Sequence, residues 1–171
     1  MIRIVAKFLK ILNSESDPVQ ISLAFCLAMI MGFTPILSPH NLLVLLLVLL
    51  LRVNLSAFIL GFGLFSGIAY LLDPLFHKIG LAILDANSLG SIWTALYNST
   101  IWRVEKFNNT VVMGSLLFSL IFFVPLLLFS NLAINRYREY VFSWIQKTRV
   151  MKLFKATKFY RIYNTVSVWG K

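Results

Sequence analysis

Charge is scarce in this sequence, and negative charge is the scarcest. Only 13% of the 171 residues are charged, and Asp and Glu together number 6 against 16 for Lys and Arg. A soluble domain needs a charged exterior, whereas residues 42–51 and 111–128 carry no charge at all. With 59% apolar residues and a mean hydropathy of +0.83, the composition is typical of a membrane protein.

The residue types that build catalytic and metal sites are also few. The single cysteine, Cys26, cannot form an intramolecular disulfide and lies in an apolar segment, where we expect it to pack. The two histidines, His40 and His77, lie in segments that the charge pattern places on opposite sides of a membrane. No pair of acidic residues falls within a predicted membrane segment. We therefore expect no catalytic residue, metal or cofactor, and predict a non-enzymatic protein.

Proline and its preceding residue mark the helix starts. Asp17-Pro18 and Ser38-Pro39 each combine an N-cap residue with proline at the first helical position, which predicts helices from 18 to about 33 and from 39 to about 52. These helices are about 24 Å and 21 Å long, against a hydrocarbon core of roughly 30 Å. We expect residues 18–52 to form a short, re-entrant-like helical hairpin whose turn is sheltered by protein or faces water.

Two further apolar segments complete the predicted membrane domain, residues 15–132. The first covers residues 55–72 and ends at Asp73-Pro74. An external loop with short surface helices then covers residues 73–109. The second apolar segment, residues 110–132, is about 35 Å long and is the only one of full spanning length, with a kink expected at Pro125.

Apolar and basic residues alternate at helical spacing at both ends of the chain. This pattern predicts amphipathic interfacial helices at residues 1–14 and within the basic tail, residues 133–171. The sequence thus predicts an all-α integral membrane protein with a short hairpin and two transmembrane helices. The tail holds nine basic residues and one acidic residue, whereas residues 74–109 hold three and two. This imbalance predicts a multi-pass protein with both termini in the cytoplasm. The tail is expected to contact anionic lipids of the inner leaflet and, being tethered to a membrane helix, not nucleic acid.

Polar residues around the predicted hairpin are candidates for a ligand site or for a purely structural role. Polar groups within a bilayer are costly, so His40 and Asn41 are functional candidates. Alternatively, they bond to carbonyl groups freed by Pro35 and Pro39 and thereby close the turn. The candidate set comprises Gly32, Pro35, Ser38, Pro39, His40, Asn41, Arg52 and Asn54.

Small residues in the third segment predict close helix packing. Two small-xxx-small pairs are formed by Ala57, Gly61, Gly63 and Gly67. We expect them to pack against the hairpin within one chain, because a broken hairpin needs protein cover. Dimerisation through the same residues is the alternative, so an oligomer remains open.

Short motifs resemble those of a bacterial inner-membrane family. Gly32-Phe33-Thr34-Pro35 supplies a G-x-x-P element, Arg52-Val53-Asn54 supplies an R-x-N element, and Ile79-Gly80 follows. With the leucine-rich helix between them, these residues resemble the family called domain of unknown function two thousand and sixty-two. The resemblance implies an inner-membrane protein without established activity, of which some members are joined to glycosyltransferase domains.

The resemblance points to envelope lipid or glycan biology. We therefore predict a non-enzymatic inner-membrane protein that acts as a partner or conduit in envelope lipid or glycolipid handling. A small solute or ion transporter that works as an oligomer is the alternative. A membrane or periplasmic protein partner also remains open.

Overall fold

The computed structural model describes residue 11 and residues 16–142. The predicted N-terminal helix, apart from Ile11, and the basic tail beyond residue 142 lie outside this part. All regular elements of the described residues are helical, and none of these residues forms a strand. The α-helices are α1 (Pro18–Phe33), α2 (Pro39–Leu50), α3 (Leu55–Leu84), α4 (Gly90–Tyr97), α5 (Thr100–Val104) and α6 (Thr110–Arg136). A 3-10 turn (Asn87–Leu89) precedes α4, and a π-helix (Tyr137–Phe142) follows α6.

Local chemistry sets the ends of α1. The carboxylate of Asp17 accepts a hydrogen bond from the Val19 amide at 2.9 Å, and Pro18 occupies the first helical position. At the other end Thr34 has φ −97° and ψ 155°, as expected for a residue that precedes proline. The helix therefore breaks between Phe33 and Pro39, where the sequence places the turn.

The predicted end of the third segment at residue 72 is corrected by the structure, since α3 continues through Pro74 to Leu84. Proline inside a helix loses one hydrogen bond and clashes with the preceding turn, at a cost of about 3 kcal/mol. Beyond Pro74, however, Phe76 is fully buried and Gly80 lies against α6. These contacts stabilise the extra turns, and the loop begins at Asp85. Helix α6 likewise runs to Arg136, four residues beyond its predicted end.

Two of the helices, α3 and α6 with its extension to Tyr140, are long and apolar enough to span a membrane. Helices α1 and α2 are apolar but shorter. Helix α1 has eleven buried residues among its 16, because it lies between α3 and α6. Helix α2 buries only Asn41, Val44 and Val48, so most of its apolar surface is exposed.

The contacts also define the direction of each helix. Gly61 of α3 meets Phe25 and Ala28, and Gly32 meets Phe65 further along α3, so α1 and α3 run in the same direction. Cys26 lies 3.5 Å from the Phe123 carbonyl, as donor to acceptor, and the Phe33 ring packs on the ring of Phe118. Helix α6 therefore runs opposite to α1.

A cluster of phenylalanine rings joins the three core helices near the end of α1. Phe33 contacts the rings of Phe65, Phe76 and Phe118 at centroid distances of 5.3, 5.2 and 6.0 Å. Such ring pairs each contribute about 0.5–1.5 kcal/mol beyond the burial of their area. This cluster holds the end of α1 in place just before the turn.

Candidate functional site

The turn between α1 and α2, residues 34–38, is called the elbow here. Asn41 is 2% exposed, and its side-chain amide donates to the carbonyls of Pro35 at 2.9 Å and Ile36 at 3.3 Å. The Thr34 hydroxyl lies 3.2 Å from the Oδ1 atom of Asn41 and 2.8 Å from the Ile30 carbonyl oxygen. Both oxygens are acceptors, so they share the single hydrogen of this hydroxyl. Asn41 therefore satisfies carbonyls of the elbow, which is the structural role considered for it from the sequence.

The start of α2 is capped by a residue from the distant loop. Ser38 is the N-cap residue, yet its side chain makes no capping bond. Instead, Glu105, which follows α5, accepts a hydrogen bond from the His40 amide at 3.1 Å through Oε2 and pairs with His40 Nδ1 through Oε1. A carboxylate at a helix N-terminus stabilises the free amides and the helix dipole. Glu105 thus ties the elbow to the loop.

The pair of His40 and Glu105 is nearly enclosed, with side chains 14% and 11% exposed. Glu105 contacts the imidazole through Nδ1, which leaves Nε2 as the ring nitrogen with free hydrogen-bonding capacity. That Nε2 atom is buried and has no hydrogen-bond partner among the described residues. The described residues also include no group of three His, Cys, Asp or Glu side chains placed to hold a metal ion.

Glu105 is a site residue that the sequence does not predict, since along the chain it is only one charge of the loop. It lies 65 residues from His40, and no motif connects the two positions. The loop helices bring it there: the Trp93 ring stacks on that of Phe107 at a centroid distance of 6.1 Å, and Phe107 is 6% exposed. No local signal in the sequence predicts this contact.

The remaining polar candidates, Arg52 and Asn54, lie at the opposite end of α2. Asn54 caps α3 by accepting from the Ala57 amide at 2.9 Å, and its side-chain amide donates to the Ser16 hydroxyl at 2.9 Å. Arg138, in the π-helix that follows α6, donates to the Ser16 carbonyl at 3.0 Å. Arg52 is exposed and has φ 48° in the turn before α3. The candidate polar residues therefore form two groups, one at each end of α2.

The predicted packing residues of α3 also separate into two sets. Ala57 is fully buried, and Gly61 packs so closely on Phe25 and Ala28 that an added Cβ would lie 2.9 Å from both. Gly63 and Gly67 are exposed, and an added Cβ there would meet nothing within 4 Å. The expectation of packing within one chain is corrected for these two glycines, because they point away from α1.

An apolar groove lies between α3 and α6, where Leu64 of α3 and Leu126 of α6 both line it. Its volume is about 400 Å³, which is within the usual range of small-molecule sites. Phe25 of α1 forms its floor together with Phe65, while Phe129 and Tyr137 line its length along α6. Pro125 of α6 lies one residue before the lining residue Leu126. The groove therefore offers an apolar surface with a volume comparable to that of small-molecule sites.

Comparison with known proteins places the chain in a family. The family described as "Uncharacterized protein conserved in bacteria (DUF2062)" matches residues 3–141. The chain belongs to this family. The DUF2062 match includes both ends of α2, Glu105 and the lining of the groove.

A protein of Treponema pallidum (strain Nichols), named "Uncharacterized protein", is similar to this DUF2062 chain. The two are 23% identical over 164 residues, which cover 96% of each chain. No solved structure matches the DUF2062 chain. Neither the family description nor the name of the relative assigns an activity.

Proposed function

We propose that this protein is a bacterial inner-membrane protein that binds membrane lipid in the groove between α3 and α6. In this proposal it acts without catalysis, as a partner or conduit in envelope lipid or glycolipid handling. The observation that carries the proposal is the groove itself. It is almost wholly apolar, has a volume of about 400 Å³, and is lined mainly by two helices long enough to span a bilayer.

The exposed surface of α2 supports a lipid environment. Leu42, Leu43 and Leu49 are 73%, 61% and 68% exposed, and no charge interrupts the helix. A helix that is apolar on every side requires an apolar environment on its outer face. In the proposed arrangement, α1 and α2 form a broken hairpin from the cytoplasmic side, whose turn lies at membrane depth.

The elbow fits this depth. Unpaired backbone groups cost several kcal/mol in hydrocarbon, and Asn41 and Glu105 supply partners to the groups that the elbow exposes. Ile36 and Leu37, which are 62% and 97% exposed, carry apolar side chains outward at the tip. Paired backbone groups inside and apolar side chains outside are what a turn surrounded by lipid needs.

Filling the groove tests the proposal. Ala133 lines the groove, so Ala133→Trp should exclude the lipid, whereas Leu128→Trp adds the same side chain at an exposed position of α6 that does not line it. Both variants are produced in cells that require this protein, and envelope permeability and lipid composition are measured. We expect Ala133→Trp to impair the envelope and Leu128→Trp to restore it fully. Equal complementation by the two variants would refute a role for the groove.

The pair of His40 and Glu105 favours a second candidate, a small solute or ion transporter that works as an oligomer. An enclosed ionisable pair near membrane depth is typical of proton and ion pathways. Purified protein in liposomes tests this candidate by flux of protons and small ions. Glu105→Gln should abolish flux if the pair forms the pathway, and Asp85→Asn, an exposed loop carboxylate, should leave it unchanged. A monomeric protein without any flux excludes this candidate.

A further inference from the structure

We propose that the groove holds an acyl chain of an anionic phospholipid, with the phosphate headgroup bound at Arg136. This inference rests on the proposed function, since it requires lipid in the groove. It adds the class of lipid and its orientation, and it derives from the charge at one end of an otherwise apolar surface.

The lining residues of α6 show how the groove leads to Arg136. Leu126, Phe129, Ala133 and Tyr137 recur at intervals of three and four residues, so they form one face of the helix. Arg136 lies seven residues, or two turns, after Phe129 and therefore continues this face. Arg136 is not part of the lining itself, but it directly precedes Tyr137, the last lining residue, and so places a cation at that end of the groove.

Arg136 is available to an anionic ligand. Its guanidinium lies 5.5 Å from the centroid of the Tyr140 ring, and Nη1 donates to the Tyr140 hydroxyl at 3.5 Å. Arg136 is exposed and forms no ion pair with any described residue. The aromatic ring orients the guanidinium while its remaining N–H groups stay able to donate to phosphate oxygens.

Charge complementarity selects an anionic phospholipid over an uncharged lipid. An acyl chain gains affinity with each CH₂ group that it buries, irrespective of its headgroup, so the apolar part gives affinity without selectivity. The selectivity comes from the arginine, which attracts an anionic headgroup at the membrane surface. In the proposed topology this end is cytoplasmic, so the lipid belongs to the inner leaflet.

Native mass spectrometry of the full-length protein in detergent tests the inference. Phosphatidylglycerol and phosphatidylcholine with identical acyl chains are titrated onto the wild type, Arg136→Gln and Arg136→Lys. We expect phosphatidylglycerol to bind more tightly, and Arg136→Gln to weaken its binding about fivefold, with a smaller effect on phosphatidylcholine, whose phosphate is offset by its choline cation. Arg136→Lys keeps the charge and should retain most of the preference. The matched control is Arg103→Gln, because Arg103 is an exposed cation of α5 that does not line the groove. This variant should behave as wild type.

The outcomes separate this inference from the proposed function. Equal binding of the two lipids, or equal effects of Arg136→Gln and Arg103→Gln, would overturn the headgroup assignment while leaving a lipid-binding groove. If Ala133→Trp binds both lipids as Leu128→Trp does, the groove itself is not a lipid site. Ala133→Leu, a smaller filling change, should reduce binding partially and provides the same comparison if the tryptophan variant does not fold.

Discussion

Helices α3 and α6 approach each other closely at Gly80 and Gly114. A Cβ on Gly80 would collide with the carbonyl of Thr110, and a Cβ on Gly114 would collide with the carbonyl of Phe76. Since the obstructing atoms belong to backbone, no side-chain rotation relieves the overlap. Gly80→Ala and Gly114→Ala should each force the helices apart.

The size of the effect follows from two opposing terms. Overpacking a close contact costs about 1–3 kcal/mol, and more where the backbone must shift. Replacing glycine by alanine within a helix also stabilises it, by up to about 1 kcal/mol. Gly63→Ala and Gly67→Ala share this helix gain but meet nothing within 4 Å. The difference between the two pairs therefore isolates the overpacking cost.

Thermal unfolding in detergent micelles, followed by far-ultraviolet circular dichroism, measures this difference. For a chain of this size 1 kcal/mol corresponds to about 2–4 °C in Tm. We expect Gly63→Ala and Gly67→Ala to match or exceed the wild-type Tm, and Gly80→Ala and Gly114→Ala to fall about 2–12 °C below them. Equal Tm values for all four variants would refute the backbone contact of α3 with α6. A decrease in Tm confined to Gly63→Ala and Gly67→Ala would instead show that those glycines form an interface with another copy of the chain.

Three further predictions concern the elbow. Asn41→Ala should destabilise the fold by about 1–3 kcal/mol, since the carbonyls it serves lose their donor, as measured by the same thermal unfolding. Glu105→Gln keeps the shape but loses the charge at the start of α2, so we expect a loss of about 1–2 kcal/mol and faster amide hydrogen exchange at His40. In cells carrying a Cys26→Ala background, a membrane-impermeant maleimide should label Ser91→Cys readily and Leu37→Cys poorly, because lipid covers the elbow tip.

Each of these predictions has a control and a contrary result. Asn87→Ala is the control for Asn41→Ala, and Asp85→Asn, which also turns a carboxylate into an amide, is the control for Glu105→Gln. Both control positions are exposed, and effects as large as those at the elbow would contradict the network described above. For the labelling experiment, Leu37 is 97% exposed, so the folded protein itself does not shield it. Rapid labelling of Leu37→Cys from outside would place the elbow in water.

The start and end of α1, and the start of α2, were predictable from local sequence. Capping by Asp17, proline at positions 18 and 39, and the effect of Pro35 on Thr34 act within a few residues. Apolar segments likewise predicted the four main helices. These features depend on backbone chemistry and composition, both of which are readable along the chain.

Contacts between distant segments were decided by tertiary structure. Pro74 predicted the end of a helix, but burial of Phe76 and contact at Gly80 carry α3 beyond it. Glu105 caps α2 across 65 residues, although its own neighbourhood indicates only a loop. The glycines of α3 predict that another helix can approach it closely. Only the rotation of α3 about its axis determines that Gly61 meets α1 while Gly63 faces outward. Local signals specify where helices begin and end. Which helices contact each other depends on which of their faces can pack together in one core, and residues distant in the chain decide this.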